Sequence, residues 1–194
     1  MFTASLIEIT RRAGQRNRGA LHYHFGSRSG ILCAVLERHT DFLAQREGEL
    51  LAHALTRPDD DVESVVEAIV RPAAELAESG WRGRCFLMIL AELVEEDPAN
   101  LDPEVNAVLE RTGGYEVYAV LERRMAPVRP AIRLERLALA TGFILRAVAD
   151  RARATHRRNG RGRQQLDHEA FVTNLVRMVA AGLSAPDAKR TTRR

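Results

Sequence analysis

Apolar residues recur every three to four positions along most of the chain, and turn formers divide that recurrence into a series of helices. Leu6, Ile9 and Ala13 make a short first stripe, opened by a capping box of Ser5 and Glu8 and ended by Gly14. Asn17 is placed to cap a second short helix with Ala20, Leu21 and Phe25 facing inward and Gly26 at its end. Ser27 caps a third and longer helix, running to about His53, with Ile31, Leu32, Val35, Leu36, His39 and Leu43 on its buried side. On that stripe His39 is expected to be a packed core histidine rather than a ligand.

The run Thr56 to Asp61, TRPDDD, reads as the boundary between a head and a body. Asp60 and Glu63 form another capping box, starting a helix to about Ser79. Gly80 and Gly83 punctuate the chain before a helix from Arg84 to Glu96, and Pro98 and Pro103 bracket a short connection. A helix from Pro103 to about Met125 is expected, with Gly113 and Gly114 as a kink. After the break at Ala126 to Pro130 come a long helix to about Thr155, a polar loop from His156 to Gln165, and a last helix from His168 to Leu183. The pattern predicts an all-α chain, divided as a head with its connecting helix (1–54), a body (55–186) and a charged, disordered tail (187–194).

Composition supports that class. Apolar residues make up 45% of the 194, enough for a sizeable core, and aromatics only 5%, which argues against a β-rich chain. Cys33 and Cys85 follow no metal or disulfide spacing, which fits a reducing cytoplasm. Neither a secretory signal nor a membrane span is expected, because the longest apolar run is Cys85 to Ala91. The net charge of +3 conceals a segregation: residues 1–30 carry +4, residues 56–128 carry −9 and residues 129–194 carry +10. A positive segment ahead of an acidic body suits a nucleic-acid-binding head, although Arg-rich surfaces also arise without function. No phosphate loop, nucleophile motif or metal spacing of the six His is present, so neither an enzyme nor a cofactor is expected.

Two short helices joined by a Gly-containing turn, the second polar on its outer side, are the ingredients of a helix–turn–helix. The segment SLIEITRRAGQRNRGALHYHFGSRSGIL, Ser5 to Leu32, resembles the DNA-binding domain of the tetracycline-repressor-like (TetR) family. Ile9, Ala13, Gly14, Gly19, Leu21, His24, Phe25, Ser27, Ile31 and Leu32 match that family's pattern in order and spacing. Thr10 stands where the family has a small Ala, Gln15 replaces an apolar turn residue, His22 precedes Tyr23 where Tyr is common, and Arg28 replaces Lys. The family also has a helix of about fifteen residues before this point; only Met1 to Ala4 precede Ser5, so that helix is expected to be missing or truncated, leaving Leu6, Ile9, Leu21 and Phe25 partly uncovered.

The resemblance implies an Ω-shaped homodimer with a small DNA-reading head and a helical body that binds an effector and dimerises. On this reading Arg16, Asn17 and Arg18 approach base edges and phosphates, Gly19 and Ala20 let the backbone come close, and His22 and Tyr23 reach a base or the groove wall. His24 and Arg28 contact phosphates. Tyr23 has a competing reading, packing inward beside Phe25. Trp81, Phe86, Met88, Ile89, Leu93, Tyr115, Tyr118 and Phe143 are candidates to line a cavity for a small apolar effector, with plain core packing as the alternative. Ala138, Gly142, Leu145, Phe171, Leu175 and Met178 are candidates for a dimer seam between the last two long helices. The function expected is a ligand-responsive DNA-binding regulator, a repressor, on a palindromic operator; the alternative is a dimeric small-molecule-binding protein without DNA binding.

Overall fold

Helix is the only regular structure among the described residues of this computed structural model, which are 6–12, 14, 19–94, 96, 98–156 and 164–187. Two short helices come first, α1 (Leu6–Arg12) and α2 (Ala20–Phe25). They lead into α3 (Arg28–Leu55), one continuous run of 28 residues. The body adds α4 (Val62–Glu78), α5 (Trp81–Leu93), a 3-10 turn at Pro98–Asn100, α6 (Pro103–Glu110), α7 (Gly114–Arg124), α8 (Pro130–His156) and α9 (His168–Ser184). The all-helical class expected from the sequence is the class observed.

Local chemistry sets the helix starts. The Ser27 hydroxyl accepts from the Gly30 N–H at 3.0 Å and caps α3. Asp61, one residue after the expected Asp60, accepts from the Ser64 N–H at 3.1 Å and starts α4. Gly19 precedes α2 with no side-chain cap, and the expected caps Ser5 and Asn17 lie outside the described residues.

Two glycines act differently from the sequence reading. Helix α5 starts at Trp81, three residues before the expected Arg84, because Gly80 with φ of +131° makes the turn. Gly83 lies inside the helix, where a Cβ would come within 2.1 Å of the Leu76 carbonyl oxygen, so it is a close-packing residue between α4 and α5 rather than a break. The helix expected from Pro103 to Met125 is divided into α6 and α7, because Gly113 at φ +88° takes a left-handed turn that no helix continues through.

Helix α4 is the centre of the body, packed against α3, α5, α7, α8 and α9. It is apolar on more than one side, with Val65, Val66, Val70 and Leu76 all buried, as a helix enclosed by others must be. The core reaches up α3 only as far as Leu36 and includes Leu43, Leu51 and Ala54. The second half of α3 is therefore packed into the body, while the boundary expected at residues 56–61 falls on the turn between α3 and α4.

Arg124 ties that turn down. Its buried guanidinium donates to the carbonyls of Ala54 at 2.8 Å, Asp61 at 3.1 Å and Arg57 at 3.3 Å, and to the Ser64 hydroxyl at 3.3 Å. One side chain from α7 thus satisfies backbone acceptors at the end of α3 and in the turn before α4. An ion pair from Arg46 to Glu75 at 3.0 Å adds a second tie between α3 and α4.

Candidate functional site

The head presents α2 to solvent. His22, Tyr23 and His24 are exposed on consecutive positions, and Tyr23 is 86% exposed, which excludes its packing inward beside Phe25. The His24 ring lies edge-on to Tyr23 at 5.2 Å and to Phe25 at 6.4 Å. Leu21 is half-buried and Phe25 partly exposed. Arg28, the first residue of α3, is exposed. Gly19 is exposed at the start of α2. Arg16, Asn17 and Arg18 lie outside the described residues, as does the side chain of Ala20. The contact that seats α2 is made by Gly30: a Cβ there would lie 2.0 Å from the Phe25 carbonyl oxygen, so only glycine lets the end of α2 approach the first turn of α3 this closely.

The body holds a cavity of about 390 Å³, partly open to solvent and bordered by α3, α4, α5, α6, α7 and α8. That is the size of a small-molecule site, and its walls are mostly Leu, Ile and Ala. Three of the expected residues line it, Leu93, Tyr115 and Tyr118. The Tyr118 hydroxyl lies 2.5 Å from the Thr141 hydroxyl, which itself donates to the Leu137 carbonyl at 2.8 Å; Tyr118 is therefore the donor to Thr141. Burial pushes the Tyr118 hydroxyl up to about 12, with the Thr141 bond opposing and the Glu47 charge adding to the rise.

The other expected lining residues lie elsewhere. Met88 and Ile89 line a second, smaller cavity of about 290 Å³ between α5 and α8. Trp81 is at the exposed start of α5, with the Arg82 guanidinium 5.8 Å from its ring. Phe86 is fully buried, its ring edge-on to His39 at 5.1 Å, so it is core. His39 is half-buried in that contact, and burial, with Arg38 adding, lowers its pKa. Phe143 points away from the main cavity on the exposed side of α8. One helix face is too narrow to point all the aromatics inward, so periodicity separates them.

The sequence reading missed Glu47. Its side chain lines the main cavity and is only 7% exposed, and its Oε2 has no hydrogen-bond partner among the described residues. Burial pushes its carboxyl up to about 8. The α6–α7 turn presses on it: a Cβ on Gly113 would meet the Ala44 Cα at 3.3 Å and Glu47 Oε2 at 3.4 Å. A signal was present in the spacing, since Leu36, Thr40, Leu43, Glu47, Leu51 and Ala54 form one buried stripe. Thr40 is accommodated there because its hydroxyl donates to the Leu36 carbonyl at 3.0 Å.

The residues expected in a dimer seam also separate. Leu145 and Leu175 are buried in the chain's own core, 6% and 3% exposed, which corrects their assignment to an interface. Leu145 faces the main cavity, as does part of Ala138. Phe171 is half-buried under the Arg151 guanidinium, 4.6 Å from its ring. Met178 is exposed on α9, and Gly142 on α8 has open space where a Cβ would project. Gly142 also borders the second cavity, facing α5, and Leu134, Leu139 and Phe143 are further large apolar side chains of α8 that are exposed.

Among the described residues no cluster of His, Cys, Asp or Glu is arranged to hold a metal ion, and no helix is long and apolar enough to cross a membrane. No curated protein and no solved structure matches the chain. Residues 67–182 match the family model of a tetracyclin repressor-like, C-terminal domain, which covers more than half of the 194 residues, from within α4 to within α9. The chain belongs to the tetracycline-repressor-like family of regulators.

Proposed function

We propose that this protein is a ligand-responsive transcriptional repressor that binds a palindromic operator as a homodimer. The observation that carries the reading is α3: a single helix bears Arg28 and the seat of α2 at one end and lines the cavity with Leu43 and Glu47 further on. From Arg28 to Glu47 the helix rises roughly 28 Å. A ligand that moves α3 at Glu47 moves the head with it, which shifts the population between DNA-competent and incompetent arrangements. The head comprises residues 1–54 with α3 as the lever, the body residues 55–186. Helix α2 enters the major groove with His22, Tyr23 and His24, together with Arg16, Asn17 and Arg18, and Arg28 contacts the backbone. The dimer forms through α8 and α9, where Leu134, Leu139, Phe143 and Met178 are exposed. Exposed apolar side chains gathered along two neighbouring helices mark such a surface.

Gel-shift titration against DNA flanking the protein's own gene tests the reading. Tight binding that weakens steeply with salt is expected, with Arg18→Ala costing ~1–3 kcal/mol of discrimination. Absent or salt-insensitive binding favours the alternative, a dimeric ligand-binding protein that does not read DNA. That alternative draws on one feature: among the described residues from Ile7 to Ser27 no side chain is buried.

A further inference from the structure

We propose that the main cavity takes a small apolar ligand carrying one cationic nitrogen, and that Glu47 receives the cation. The inference rests on the reading of this cavity as the effector site and narrows the chemistry of what enters it.

Glu47 occupies a position that packing alone would give to a leucine, since Leu43 and Leu51 stand one turn away on either side of the same buried stripe. A buried carboxylate oxygen with no donor is costly, and the cost is offset when a ligand supplies one. Three other hydroxyls of the wall are engaged within the protein, Tyr118 on Thr141, Thr141 on the Leu137 carbonyl, and Thr112 on the Leu109 carbonyl at 2.8 Å, and Tyr115 is mostly exposed. The sign of the charge follows from the whole wall. The titratable groups facing the cavity are Glu47 on α3, Glu96 beyond the end of α5, and Tyr115 and Tyr118 on α7. Among the described lining residues α4, α6 and α8 contribute none, and there is no Lys, Arg or His. An anionic ligand would meet no cationic group, whereas a cation meets two tyrosine rings and a carboxyl that can ionise to receive it. Burial favours the neutral carboxyl of Glu47; an arriving ammonium favours the carboxylate. Binding therefore releases the Glu47 proton to solvent and leaves an ammonium–carboxylate pair, with no bond made or broken elsewhere.

Three probes of matched shape separate the possibilities by isothermal titration: 4-phenylbutylamine, 4-phenylbutanol and 4-phenylbutyrate. The amine is expected to bind at least about tenfold tighter than the alcohol, with the carboxylate weakest. Titration of the amine at pH 7 in buffers of different ionisation enthalpy is expected to show close to one proton released, because the Glu47 carboxyl is held near 8. Glu47→Gln is expected to abolish both the amine's advantage and the proton release while the alcohol still binds. Proton release is read on the unchanged chain, so it stands even if that variant fails to fold. An alcohol that binds as well as the amine, or an amine that binds with no proton released, overturns the cationic ligand and leaves the cavity as an effector site. Failure of all three probes to bind overturns the cavity reading and the proposal with it.

Discussion

The head and the body of this protein bury their side chains to very different extents. From Leu36 onward every helix contributes buried residues to one continuous core, with α4 enclosed on several sides. Among the described residues from Ile7 to Ser27 none is buried, and α1 and α2 are seven and six residues long. Helices that short do not hold themselves together in water, so the head depends on where it is seated and the body on what it encloses. A recognition surface must leave its polar side chains free for a partner, whereas a ligand cavity is built from side chains removed from water. On the proposed function, stability and DNA reading are assigned to opposite ends of α3, and variants at each end should report on different measurements.

The largest expected effect is at Glu47. Its folded-state pKa, about 8, lies above its ordinary value, so the native state holds the proton more tightly than the unfolded chain. Stability is then undiminished below the ordinary carboxylate range and falls as the pH rises towards 8. Glu47→Gln removes that dependence. The variant is expected to match the parent near pH 5 and to be more stable by ~4 kcal/mol at pH 9, measured by denaturant unfolding across that range. A parent and variant that stay parallel in pH would show that the carboxyl is solvated and that the body has no charged weak point.

Next is Arg124, whose loss strands the carbonyls of Ala54, Arg57 and Asp61 in the turn between α3 and α4. Arg124→Ala is expected to cost ~3 kcal/mol in urea unfolding, while Arg124→Lys, with fewer donors in a different geometry, recovers only part. A loss of stability confined to the head, with the body's transition unmoved, would break the comparison.

These two residues also show what the sequence did and did not expose. Helix order in the body could be read because apolar spacing and turn formers record local structure directly, although the one helix expected from Pro103 to Met125 is two, α6 and α7. The faults came where a residue's role depends on a neighbour distant in the chain. Gly83 reads as punctuation but serves α4 packing, and Gly113 reads as a kink but ends a helix against Ala44. Arg124 lies near the end of a charged stretch and looks solvated, since nothing local says that its guanidinium reaches residues 54 to 64. The cavity was the least accessible to sequence. Aromatics were expected to line it, yet Trp81 and Phe143 are exposed, Phe86 is core, and the wall is mainly aliphatic. Glu47 could have been found, because its spacing from Leu43 and Leu51 places a carboxylate on an apolar stripe.

A smaller expected effect on stability, with a larger one on binding, belongs to Gly30. Alanine is the better helix former by about 1 kcal/mol, so at an open site Gly30→Ala would stabilise α3. Here its Cβ would lie 2.0 Å from the Phe25 carbonyl oxygen, and the end of α2 has to move. The body's unfolding is expected to change by under ~1 kcal/mol, while operator affinity in a gel shift falls by about tenfold or more. Unchanged affinity would mean that α2 does not need this seat to read DNA.

The smallest effect tests whether depth, rather than the number of ion pairs, separates the two regions. Arg71 on α4 bonds Glu169 on α9 at 2.8 Å and also Glu67 at 2.7 Å, a network that joins two of the body's main helices. Glu169 is nonetheless mostly exposed, and the carboxyl lies below its ordinary pKa chiefly through the Arg71 hydrogen bond. Water and salt screen such a pair, and Glu67 remains to hold Arg71 when Glu169 is neutral. Glu169→Gln is therefore expected to melt within error of the parent at both low and high salt. Were it to lose as much as Arg124→Ala, surface charge would be holding the α4–α9 pair together, and depth would not be what separates the two regions. If the melting point holds, the α4–α9 pair is held by its buried apolar contacts, with Val172, Leu175 and Val176 of α9 in the core, and the exposed ion pair adds nothing measurable.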